Sequence, residues 1–115
     1  MTVQKDKFVF LWSTGDRGVA LNMIFMYLLN AKRNNWWDEV TLLIWGPSAE
    51  LIANDEELQR KLKDLGEAGV VLEACKACAE NYGVDEDLAD LGVDVYYIGK
   101  RLTEYIKEGR RILSL

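Results

Sequence analysis

Residues 70–84 read V-V-L-E-A-C-K-A-C-A-E-N-Y-G-V, and the rest of the chain is arranged around them. Val70, Val71 and Leu72 form a short apolar, largely β-branched run that leads to the only two cysteines, Cys75 and Cys78. Ala79 to Tyr82 then reads as helix, and Gly83 sits where helices commonly stop. The pattern predicts a strand that hands over to a helix at the cysteines. Backbone N–H groups are unpaired at such a junction, and the helix dipole favours an anion there. A thiol at that spot leans towards thiolate, the form that attacks electrophiles and carries sulfur. The plainer alternative is a small buried apolar cysteine. That alternative fits Cys78, one turn into the helix, better than Cys75.

Working outward, Phe8 to Trp12 is a run of five apolar residues ending in Ser13-Thr14-Gly15. Unbroken rather than alternating hydrophobicity is what a parallel strand covered on both faces requires. Thr14 or Asp16 can cap a long helix running to about Asn34. The S-T-G-D-R-G turn lacks both the dinucleotide and the P-loop pattern, so a plain tight turn is expected rather than a phosphate site. Val40 to Trp45 reads as the second strand. It ends at Gly46-Pro47-Ser48, with the only proline at a first helical position. A short helix follows over Ala49 to Ala53. Asn54 and Glu57 then have capping-box spacing for a helix that carries Leu58, Leu62 and Leu65 on one face and ends near Gly69.

Beyond the cysteines, Asp85 to Leu91 predicts a short acidic helix whose carboxylates serve capping and solvation. Val93 to Ile98 reads as the fourth strand and Leu102 to Glu108 as the last helix. Arg110 to Leu115 reads as a final edge strand. This alternation means a three-layer α/β/α sandwich, built on a five-stranded, mostly parallel sheet as a single domain over residues 1–115.

Composition narrows the function. Lys plus Arg number 14 against 19 for Asp plus Glu, giving a net charge of −5 with no basic stripe, so nucleic acid is not expected as a partner. Two cysteines three positions apart do not make a secreted disulfide framework, and no signal peptide precedes the first strand. A reducing, cytoplasmic setting is expected. The chain contains no histidine. That removes the commonest general base, the commonest metal ligand and the Cys–His nucleophile pair together. Hydrolysis is therefore not expected, nor is a cofactor or a metal held within one chain.

From Val19 to Leu29 only Asn22 is polar. The run is too short to span a bilayer, which needs about 20 residues, so no membrane association is expected. A helix that is apolar all round must be covered on both sides, and the second cover is expected to be further copies of the chain.

Ligands of parallel sheets gather beyond the carboxyl ends of the strands. Four loops meet there: Ser13 to Arg17, Trp45 to Ser48, Cys75 to Cys78, and Gly99 to Arg101. Cys75 and Cys78 are the candidate chemical groups, with Ser13, Thr14, Gly46 and Ser48 as edge-loop neighbours. Arg17 and Lys76 are the cations that could lower a thiol pKa if they point inward.

Three features in this order and spacing carry a resemblance. They are F-V-F-L-W-S-T-G-D leading into the A-L-N-M helix, W-G-P-S after the second strand, and C-x-x-C-A-x-x-Y-G-V after the third. From end to end the chain resembles the DsrE-like proteins, especially their small YchN-type members. The resemblance implies a flavodoxin-like fold and trimeric or hexameric assembly. For the sulfur-relay branch it also implies a cysteine that carries persulfide sulfur between donor and acceptor proteins. Cys75 looks like that sulfur-carrying position. Cys78 lies outside the relay pattern and looks like the YchN-type C-x-x-C. Three classes stay open: a sulfur carrier acting through Cys75, a non-catalytic oligomeric scaffold, and a redox or intersubunit metal-binding C-x-x-C. The last would need a Cys₄ set shared between chains.

Overall fold

Each uninterrupted apolar run becomes a strand in the middle of a sheet. In the computed structural model, which describes residues 6–115, β1 spans Lys7–Trp12 and β2 spans Glu39–Ile44. Around them lie β3 (Val71–Cys75), β4 (Asp94–Tyr96) and β5 (Arg111–Ser114). The first five positions of the domain expected over 1–115 lie outside the described residues. The sheet order is β4-β3-β2-β1-β5, and every pairing is parallel. The final strand is thus an edge strand, as expected, and its direction matches β1. The register places Trp12 beside Ile44, Ile44 beside Ala74, and Cys75 beside Tyr96. The carboxyl ends of four strands therefore finish along one edge.

Side chains alternate across this sheet. Phe8, Phe10 and Trp12 of β1, with Val40, Leu42 and Ile44 of β2, enter the larger core. Five helices cover that side. The first, α1 (residues 17–33), is α-helical at Arg17–Val19 and Met26–Arg33, but π-helical over Ala20–Phe25. A uniform helix was the expectation, and residue periodicity gives no notice of the wider turn. Asp16, one of the two expected caps, accepts from the Val19 N–H at 3.1 Å. The others are α2 (Ser48–Asn54), α3 (Glu56–Ala68), α4 (Lys76–Tyr82) and α5 (Asp85–Asp90). Leu58, Leu62 and Leu65 of α3 are buried, as their spacing predicts.

Two local expectations are corrected. The capping-box pair Asn54 and Glu57 does not form. Asp55 caps α3 instead, accepting from the Leu58 N–H at 3.0 Å, while the Asn54 amide donates to the Glu50 carbonyl. β4 also ends at Tyr96 rather than Ile98, because Ile98 already serves as the N-cap residue of α6 (Gly99–Lys107).

The opposite side of the sheet carries a smaller core of Val9, Leu43, Cys75, Ile98 and Tyr105, beneath α6. The three layers are therefore very unequal. On the thick side, α1 buries Ile24, Phe25 and Leu28 but leaves Met23 and Met26 52% and 55% exposed. Within one chain its outer face is open. Among the described residues, no helix is long and apolar enough to cross a membrane.

Candidate functional site

Cys75 is at once the last residue of β3 and the N-cap of α4. The helix begins directly behind it, three positions earlier than the sequence suggests. Its backbone is still extended, with φ −71° and ψ 117°, so the side chain folds back over the first turn. Sγ accepts from the Cys78 N–H at 3.4 Å, standing where a serine or aspartate oxygen stands in an ordinary cap. Gly83 ends α4 in the left-handed region at φ +70°, which glycine adopts without a Cβ penalty. Cys75 and Cys78 are both free thiols.

The two sulfurs have unequal surroundings. Cys75 is 6% exposed, while Cys78 is half-buried. Burial pushes the Cys78 thiol up from its ordinary pKa, and its hydrogen bond with Cys75 acts the same way; the Gly46 backbone N–H opposes both. Gly46, at φ +78° in the turn after β2, thus brings a backbone donor to the cysteine motif. Over Cys75 lies a cleft of about 180 Å³, walled by Trp45, Ala77, Tyr97, Ile98, Gly99 and Leu102. None of these side chains is charged. Lys76 places Nζ 5.4 Å from the centre of the Tyr97 ring, and the Tyr97 hydroxyl donates to Glu80 at 3.1 Å.

The remaining candidate residues separate by role. Ser48 is fully buried, and its Oγ donates to the Trp12 carbonyl at 2.5 Å, tying the β2 loop to the end of β1. The Ser13 and Thr14 N–H groups donate to the Leu115 carbonyl at 2.8 and 3.1 Å, and Thr14 Oγ1 accepts from the Asp16 N–H. Three amides of the expected tight turn, those of Ser13, Thr14 and Asp16, are thus already engaged. Arg17, a thiolate-supporting cation only if it pointed inward, gives its guanidinium to Asp55 (2.6 Å) and Glu57 at the start of α3. Cys75, Cys78 and Gly46 come together, with the Lys76 ammonium over the Tyr97 ring; Ser13, Thr14 and Ser48 stitch the neighbouring loops.

The sequence does not single out Glu73. It is 3% exposed, on the same face of β3 as Cys75. One carboxylate oxygen accepts from the Tyr96 hydroxyl at 2.8 Å and the Tyr105 hydroxyl at 2.7 Å, and the other from Arg101 at 2.9 Å. The Arg101 guanidinium also lies 4.5 Å from the Tyr96 ring centre. Burial first, and the hydrogen bond to Glu73 second, raise both phenols above the ordinary tyrosine value, so both remain donors. The available signal was the alternation V-L-E-A-C, which puts Glu73 and Cys75 on one face. Among the described residues, no group of three or more His, Cys, Asp or Glu side chains could hold a metal ion.

Comparison with known proteins agrees with this architecture. The model of the DsrE/DsrF-like family matches residues 6–115. A conserved protein of unknown function from Bacteroides thetaiotaomicron, BT1422, is 41% identical, with 96% of this chain and 95% of that one covered at a TM-score of 0.93. A protein of unknown function from Methanobacterium thermoautotrophicum, MTH1491, is 18% identical at a TM-score of 0.73, with 95% and 98% covered. The ychN protein from E. coli is 14% identical at 0.71, also with 95% and 98% covered. At these two lower identities the likeness is one of fold. No protein of curated function matches the chain.

Proposed function

The chain belongs to the DsrE/DsrF-like family, and on that premise we propose that it carries sulfane sulfur as a persulfide on Cys75. The observation that carries this reading is the placement of Cys75 Sγ, at the carboxyl edge of the sheet and in an uncharged cleft. A persulfide-bearing donor presents its outer sulfur to the Cys75 thiolate. The new S–S bond forms as the donor's own S–S bond breaks, and the donor leaves as a thiolate. An acceptor thiolate then attacks the outer sulfur, and Cys75 leaves as a thiolate in turn. Neither step needs histidine or an external oxidant, because the sulfane sulfur and its electrons pass on together.

Cys78 fits a supporting role. Attack by its thiolate on the inner sulfur would form a Cys75–Cys78 disulfide and release hydrosulfide, wasting the cargo. A thiol kept protonated by burial attacks slowly, so the raised Cys78 pKa lengthens the life of the persulfide. Such thiol chemistry suits a reducing compartment, and the proposal includes a cytoplasmic location. It also includes self-assembly into a trimer or hexamer, with further copies covering Met23 and Met26 on the open face of α1.

The test of handover starts from sulfur-loaded protein and adds an excess of a small thiol. Each loaded Cys75 should yield one equivalent of hydrosulfide, with the small thiol appearing as its disulfide and the protein returning to its unloaded mass. Loaded protein that keeps its sulfur under these conditions would contradict carriage. The exposed methionines of α1 would then favour the non-catalytic scaffold.

A further inference from the structure

We propose that Glu73 is a positioning residue for Cys75: by clamping β4 and α6 to β3, it sets how far the cleft over the thiol stands open. The purpose of such a clamp rests on the carrier reading, although its geometry does not. Cys75 is only 6% exposed, so a donor sulfur reaches it through the cleft alone. Transfer requires the reacting atoms to come within about 3–3.5 Å with the breaking bond in line. Ile98, Gly99 and Leu102 form one wall of that cleft. All three lie on the segment that leaves β4 and starts α6.

The apolar grip on this segment comes from few side chains, with Ile98 buried at its start. Tyr105 is buried and Leu102 half-buried, but Ile106 is 61% exposed. The polar grip converges on one carboxylate. Tyr96 ends β4, Arg101 adjoins Leu102, and Tyr105 lies one helical turn further along α6; all three donate to Glu73. Glu73 is itself fixed in the sheet through the pairing of β3 with β2 and β4. This wall is therefore tied to the strand that carries the thiol. Each hydrogen bond removed shifts the wall from closed towards open.

The test measures alkylation of Cys75 by iodoacetamide, a small neutral probe, in a Cys78→Ser background. Rates are compared at the pH plateau of each variant, so that access rather than ionisation is read. Tyr96→Phe and Tyr105→Phe each delete one donor hydroxyl without changing the ring. Each should raise the rate about tenfold, in keeping with the loss of one hydrogen bond to a charged group. The raised rate should stay flat through low urea, the mark of a local opening. A merely structural role would give a rate that climbs with urea alongside global unfolding. That result, or an unchanged rate, overturns the proposal. Glu73→Gln should act in the same direction; if it fails to fold, the two phenylalanine variants decide. No sulfur donor is used, so failure to load sulfur leaves the clamp standing, and an unchanged rate with normal loading removes the clamp alone.

Discussion

Glu73 and Cys75 lie two positions apart on β3, face the same side of the sheet, and are 3% and 6% exposed. A buried carboxylate and a buried thiol thus share one strand end beneath α6. The carboxylate is satisfied by Tyr96, Tyr105 and Arg101. The thiol faces an uncharged cleft.

The first prediction concerns alkaline pH. Folding raises the Tyr96 and Tyr105 pKa values, by burial first and by Glu73 second, so the folded state holds these protons more tightly than the unfolded chain. Arg101, which lies against the Tyr96 ring, opposes the shift in both phenols without reversing it. The stability from this linkage is fully present below the unfolded tyrosine value, about pH 10, and is lost as pH rises beyond it. Urea midpoints should fall more steeply above that pH for the parent than for a Tyr96→Phe/Tyr105→Phe double variant.

On the thick side of the sheet, Asp55 both caps α3 and receives Arg17. The Leu58 N–H is the largest influence lowering its pKa, ahead of Arg17. Its contribution is present above the unfolded carboxylate value and lost as pH falls through the folded one. Asp55→Ala should cost about 1 kcal/mol in denaturant titrations, and Asp55→Asn, which keeps the capping oxygen, less. Arg17→Ala should have a small effect that shrinks with salt, and should leave Cys75 alkylation unchanged.

Several of these elements could be read from the chain because their causes are local. β1 and β2 announce themselves as apolar runs, and Cys75 falls where a strand meets a helix. The Gly83 stop follows from backbone conformation alone. Glu73 was not legible in the same way, because its tyrosine partners lie 23 and 32 positions along the chain. Only the folded sheet and α6 bring them together. The π-helical turns of α1 leave no mark in the local pattern either, and β4 ends early because Ile98 already caps α6. The loop alone leaves the direction of Arg17 open, and the folded chain turns it to Asp55 and Glu57 at the start of α3.

Assembly gives the third prediction. Met23 and Met26, more than half exposed, are the outer face of α1 that further copies of the chain would cover. The parent should sediment as a trimer or hexamer, and Met26→Glu should dissociate it while preserving its circular dichroism. The buried, unpaired charge would be costly in the assembly and harmless in the free chain. A parent that sediments as a monomer at micromolar concentration would remove this part of the proposal.

Sulfur loading tests the central claim most directly. Incubation with a sulfane-sulfur donor should add about 32 Da, one sulfur atom, to the intact parent, since thiolate attack on a sulfane sulfur leaves a persulfide. Cys75→Ser should take up nothing. Cys78→Ser should load and hold the sulfur longer, because the thiol that would expel hydrosulfide is gone. An adduct that persists in Cys75→Ser and disappears in Cys78→Ser, or a parent that takes up no sulfur, would contradict the assignment of Cys75 as the carrier.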